Sequence, residues 1–185
     1  RQVNNSFDIH PDFQSIKART LSLKRWALAL MRNLLAAVNA LHRRKYKAIV
    51  SRERIDGPGD HRIPVQIIRP ENPAVPCPAL IYYHGGAFVM KHAPQHLVNA
   101  VRYAREAGCC VIFVEYRLAP RHRFPAGFDD CHAALRWTLA NAERLGIDLR
   151  RVAVGGDSAG GALAAAVAQR ARHEDGIELC GQMLI

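Results

Sequence analysis

Apolar residues recur every three or four positions over residues 22–42. Leu23, Trp26, Leu30, Leu34, Val38 and Leu41 fall on one stripe of an expected helix. Such a stripe serves as core, as a lid over a pocket, or as a face laid on a membrane surface. The period then changes. Residues 46–55 read as a strand, "DGPGD" (56–60) is turn chemistry, and "HRIPVQIIRP" reads as the returning strand, so a hairpin is expected. The Pro-rich "PENPAVPCP" leads into "ALIYYH", a continuous apolar run of the kind found in a parallel strand covered on both faces.

From there strand and helix patterns alternate. "CCVIFVEY" and "RRVAVGG" read as strands, and "LCGQMLI" opens another. Residues 125–148 read as one helix, with Phe128, Cys131, Ala134, Leu135 and Leu139 on one side, and residues 159–172 as a helix of small side chains. Between "ALIYYH" and "CCVIFVEY" the pattern marks only a helix start near His92 and His96. This alternation predicts the α/β class: a mostly parallel sheet with helices on both faces.

Composition narrows the picture. At 185 residues and 49% hydrophobic, the chain is long enough for one domain with a core of its own. No apolar run reaches the roughly 18 residues of a membrane span, so none is expected, and the opening residues lack the pattern of a secretory leader. The five cysteines (77, 109, 110, 131 and 180) are odd in number and form neither a CxxC pair nor a zinc spacing. They read as free thiols of a reducing compartment, the cytoplasm, with no metal. The net charge is +10, and residues 17–47 hold nine Lys and Arg and no acidic residue. These charges spread around a helical pattern without a series of aromatic residues. That argues against nucleic acid and for a solvated helix face or attraction to anionic surfaces.

The candidate chemistry lies in two glycine-rich turns. "GDSAG" places Ser158 between Gly156 and Gly160, after an expected strand and before an expected helix. A turn this sharp strains the serine backbone and presents its hydroxyl at the end of the sheet, while the helix N-terminus behind it favours developing negative charge. Asp157 supports the turn. "HGGAF" (84–88) follows another strand. Acyl transfer through a serine needs N–H donors for the oxyanion, and the N–H groups of Gly85, Gly86 and Ala159 are the candidates, with His84 holding the loop. Between the two turns, Tyr116, Arg117, Asp129 and Asp130 read as scaffold around the start of a helix.

Three motifs in order, "HGGAF", "EYRLAPRHRFPAGFDD" (115–130) and "GDSAGG", resemble the hormone-sensitive-lipase-like branch of the α/β-hydrolases. The resemblance runs from about residue 46 onward, with residues 1–45 resembling part of that family's helical cap. The family more often carries three glycines where this chain has Gly85, Gly86 and Ala87. The resemblance implies hydrolysis of short- to medium-chain carboxylic esters through an acyl-enzyme on Ser158, a small-molecule ester as partner, and no cofactor. It also leaves open a non-catalytic small-molecule receptor, because the plant gibberellin receptors share the fold and keep a serine while losing the histidine.

A serine nucleophile needs a base, and in α/β-hydrolases the order is Ser, then Asp or Glu, then His. After Ser158 only His173 remains. Along one helix it lies about 20 Å away. Residues 46–185 are therefore expected to be the N-terminal portion of a hydrolase domain whose sheet and catalytic set continue further along a longer chain.

Overall fold

The computed structural model of the protein describes residues 26–31, 33–34 and 48–185. Six strands form one sheet: β1 (Ile49–Asp56), β2 (Arg62–Arg69), β3 (Cys77–Tyr83), β4 (Cys110–Val114), β5 (Ile147–Gly156) and β6 (Gly181–Leu184). Their order is β1-β2-β4-β3-β5-β6. β1 and β2 form the expected antiparallel hairpin, and β2 runs antiparallel to β4. From β4 through β3 and β5 to β6 the sheet is parallel.

Helices cover both faces. Helix α1 (Pro94–Glu106) buries Leu97, Ala100, Val101 and Ala104 against Ile68, Leu80, Tyr82, Val111 and Phe113. Helices α2 (Ala126–Ala140), α3 (Ala142–Leu145) and α4 (Ala159–Glu174) cover the other face, where Ile67, Ile81, Ile112 and Val154 point. β4 is buried along its whole length, which accounts for its unbroken apolar run. Each large side chain buried in these layers contributes about 1.5–3 kcal/mol.

Three expectations are corrected. The segment after "ALIYYH" holds a full helix, α1, entered through Pro94. The single helix expected over residues 125–148 is instead α2, α3 and the start of β5. Asn141 ends α2 by turning its side-chain amide onto the Trp137 carbonyl at 2.9 Å, and Gly146 closes α3 in the left-handed conformation. The third concerns the N-terminal stripe. Residues 26–31 and 33–34 are helical, but Trp26, Leu30 and Leu34 are 68%, 65% and 63% exposed, while Leu28, outside the stripe, is 2% exposed. The described positions of the stripe are therefore not core. Leu23, Val38 and Leu41 lie outside the described residues, as does most of the proposed cap segment.

Candidate active site

The parallel strands β3 and β5 end side by side, Tyr83 opposite Gly156, and the two glycine-rich turns leave from these ends. This brings together residues far apart in sequence, on the C-terminal edge where open α/β sheets place ligands.

Ser158 sits between β5 and α4 with φ +52° and ψ −118°. That is a costly conformation for a residue with a side chain, and it persists only where its surroundings enforce it. They do so here. The Ser158 N–H donates to the Ile185 carbonyl at 2.6 Å, the Gly160 N–H to the Asp157 carbonyl at 2.8 Å, and the Ala162 N–H to the Ser158 carbonyl at 3.2 Å. The flanking glycines are steric necessities. A Cβ on Gly160 would lie 2.6 Å from the Tyr83 carbonyl carbon and overlap its oxygen, and one on Gly156 would overlap the same oxygen. Ser158 is exposed as a result, and among the described residues its hydroxyl has no hydrogen-bond partner.

The second turn is held from below. His84 is buried, stacks on Tyr116 with ring centroids 4.5 Å apart, and turns Nδ1 to the Gly85 carbonyl at 2.8 Å. The Tyr116 hydroxyl donates to the His84 carbonyl at 2.6 Å. Burial pushes the His84 imidazole down to about 3, against a partial upward pull from its bond to Gly85, so it is neutral at pH 7. Gly86 then turns at φ +133°, and its carbonyl accepts the N–H groups of Val89 (3.0 Å) and Met90 (2.9 Å). Ala87 and Phe88 follow at φ +50° and +61°. The alanine standing where the family more often has a third glycine therefore occupies a left-handed conformation that glycine adopts at lower cost.

Asp157 joins the two turns. Its Oδ1 accepts the Tyr82 hydroxyl at 2.6 Å and the Gly85 N–H at 3.2 Å, and its Oδ2 faces His96 Nε2 at 2.9 Å. The Ala93 N–H donates to His96 Nδ1 at 2.7 Å, which leaves the ring proton on Nε2, directed at the carboxylate. Burial, with the Asp157 bond adding to it, raises the Tyr82 phenol well above its ordinary value.

One assignment is thereby corrected. Gly85 is not free to serve an oxyanion, because its N–H is taken by Asp157. Among the described residues, the N–H groups of Gly86, Ala87 and Ala159 have no protein acceptor. Tyr82 and His96 were missed as supports of the site. A phenol inside an apolar strand had to find a partner, and Pro94 marked the helix start, but which acceptor each would meet depends on α1 packing beside the elbow.

In the segment read as scaffold, Asp129 lies in the first turn of α2, and Asp130 instead pairs with Arg117. Asp130, fully buried, accepts the Arg117 backbone N–H at 2.9 Å and is gripped by the Arg117 guanidinium at 2.7–3.1 Å. None of the described histidines bonds to Ser158. His84 and His92 are buried and neutral, the latter pushed down to about 4 chiefly by burial. His96 faces Asp157, and His132 faces Asp175 at 2.6 Å. His173 lies at the far end of α4. Although His84, His92 and His96 cluster, no group of described His, Cys, Asp or Glu residues is arranged to hold a metal ion. Beside the elbow opens a cavity of about 510 Å³, lined by Ala87 and Phe88 of the loop, Phe124, Phe128, and Ala162 and Leu163 one turn after Ser158.

An elbow of this geometry, on this sheet, defines a class of fold, and the comparisons agree. The family described as the alpha/beta hydrolase fold matches residues 80–185, and the chain belongs to it. It is 45% identical over 107 residues to esterase LipI of Mycobacterium tuberculosis, covering 58% of this chain and 33% of LipI. It is 46% identical over 112 residues to an ethyl acetate hydrolase of Pseudomonas putida, covering 60% and 35%. It is also 35% identical over 147 residues to the gibberellin receptor GID1 of rice (Oryza sativa), covering 77% and 41%. Among solved structures, a bacterial heroin esterase superposes with a TM-score of 0.75 at 36% identity, over 84% of this chain and 52% of that one. The chain thus spans a third to two fifths of the length of these curated relatives. No described helix is long and apolar enough to cross a membrane.

Proposed function

We propose that the protein is a serine carboxylesterase. The observation that carries this reading is the exposed Ser158 hydroxyl on a left-handed turn, beside N–H groups without acceptors. Ser158 Oγ attacks the ester carbonyl, its proton passing to a base outside the described residues. The N–H groups of Gly86 and Ala159, with Ala87 as a third, receive the negative charge on the carbonyl oxygen. Each such donor is worth about 3–4 kcal/mol in the transition state. The alcohol leaves with a proton as the C–O bond breaks, and water then releases the acid from the acyl-serine. The names of the relatives support an ester substrate. The apolar cavity beside the elbow suits the hydrocarbon part of a short- to medium-chain ester better than a triglyceride. Its five free cysteines suit the reducing cytoplasm, the location we propose.

The likeness to GID1 keeps a receptor as the second reading. A fluorophosphonate probe separates the two on the complete gene product. An esterase labels at Ser158 and hydrolyses p-nitrophenyl butyrate, and Ser158→Ala loses both. Ligand binding without labelling or turnover would favour the receptor.

A further inference from the structure

We propose that His96 is a positioning residue for ester hydrolysis, acting through Asp157 on the loop that receives the oxyanion; the proposal rests on the esterase reading above. His96 makes two contacts of different kinds. It is the third residue of α1, and its Nδ1 accepts the N–H of Ala93, the residue before the helix, at 2.7 Å. That contact satisfies one free donor at the helix start, where Ala93 has no side-chain oxygen of its own. The other contact leaves the helix. His96 Nε2–H donates to Asp157 Oδ2 at 2.9 Å, across 61 residues of sequence. Capping uses Nδ1 alone, so the contact through Nε2 has a separate consequence.

That consequence lies in how the carboxylate is held. Asp157 Oδ1 accepts the Tyr82 hydroxyl and the Gly85 N–H, while His96 holds Oδ2. Released at Oδ2, the carboxylate is free to turn about its Cβ–Cγ bond, a broad torsion with no sharp minimum of its own. Gly85 feels any such turn. A Cβ on it would stand 2.5 Å from Oδ2 and 3.3 Å from Cγ, so the loop lies directly on the carboxylate. The next residue is Gly86, whose N–H has no protein acceptor among the described residues and is a donor for the oxyanion. A shift of Gly85 therefore moves that donor, and a misplacement of about 1 Å costs about a hundredfold in rate. His96 also lies against the ring of His84, with centroids 6.0 Å apart, so it meets the loop at its root as well as through Asp157.

The test uses the complete gene product and three variants. His96→Asn keeps an acceptor where Nδ1 stands and loses the donor to Asp157. His96→Gln extends an amide N–H as far as Nε2 reaches, and His96→Ala loses both contacts. With p-nitrophenyl butyrate, kcat should fall about tenfold in His96→Asn and His96→Ala with KM within about twofold, and return to within about threefold of the parent in His96→Gln. In an Asp157→Ala background, His96→Asn should lower kcat by less than about twofold, because the residue acts through that carboxylate. A helix cap alone predicts parental kcat in His96→Asn. That result, or an equal loss in both backgrounds, would overturn the proposal. Amide hydrogen exchange of residues 84–90, read by mass spectrometry, follows the loop whether or not ester is turned over. It should quicken about tenfold in His96→Asn, and unchanged exchange would overturn the proposal. Failure of the esterase reading shows separately, as a parent protein that a fluorophosphonate does not label.

Discussion

The Gly85 N–H donates to Asp157 Oδ1 at 3.2 Å, across 72 residues of sequence. The side chain before the candidate nucleophile therefore holds the loop that faces it, and the same carboxylate also receives the Tyr82 hydroxyl and His96 Nε2. Substituting Asp157→Ala leaves three donors without their acceptor. Stability to urea should fall by about 2–4 kcal/mol. In the complete enzyme kcat should drop at least tenfold with KM little changed, because the misplaced loop acts on the oxyanion rather than on binding. Unchanged kcat with lowered stability would assign Asp157 to stability alone.

Gly160→Ala tests the steric basis of the elbow. The added methyl would meet the Tyr83 carbonyl and lie 2.9 Å from the His84 carbonyl carbon, all backbone atoms with little freedom to withdraw. A loss of about 3 kcal/mol or more is expected, together with loss of fluorophosphonate labelling. Ala162→Gly, two residues further along α4 at an exposed position, should cost only about 1 kcal/mol and retain labelling. Thermal melts and in-gel fluorescence of the two variants make the comparison.

Stability should fall in acid for a reason located at His84 and His92. Their folded values are pushed down to about 3 and about 4, below the ordinary 6.5, mainly by burial. Below pH 6.5 the unfolded chain takes up protons that the folded protein refuses, so stability present above pH 6.5 is lost progressively as pH falls toward 3–4. Urea midpoints at pH 7.5 and pH 4.5 should differ, and His92→Gln, which cannot titrate, should narrow the gap. An equal gap in the variant would place the acid sensitivity elsewhere.

Residues 1–185 alone should hydrolyse p-nitrophenyl butyrate no faster than their own Ser158→Ala control. None of the described histidines hydrogen-bonds Ser158; His84, His92, His96 and His132 are buried or held by other partners, and a serine without a base is a weak nucleophile at neutral pH. Robust serine-dependent turnover by this chain would show that a histidine within it reaches Ser158 after all.

Much was determined by the sequence itself. The change from helical to strand period, the unbroken apolar runs of β3 and β4, and the glycines around Ser158 are local signals, and each has one economical structural solution. The α/β class, the hairpin and the elbow followed from them, whereas the pairing of Arg117 with Asp130 did not. What only the tertiary structure decided were the relations across strands and layers. Whether Gly85 offers its N–H to a substrate or to Asp157 depends on the register of β3 against β5, which sets Tyr83 opposite Gly156. The roles of Tyr82 and His96 depend on α1 lying over that junction. Which positions of the N-terminal helix are buried depends on what surrounds them, and Leu28 is buried while Trp26, Leu30 and Leu34 are exposed. Periodicity shows that a helix has an apolar side. It carries no information about which neighbour meets that side, because burial belongs to the assembled layers and not to the chain segment.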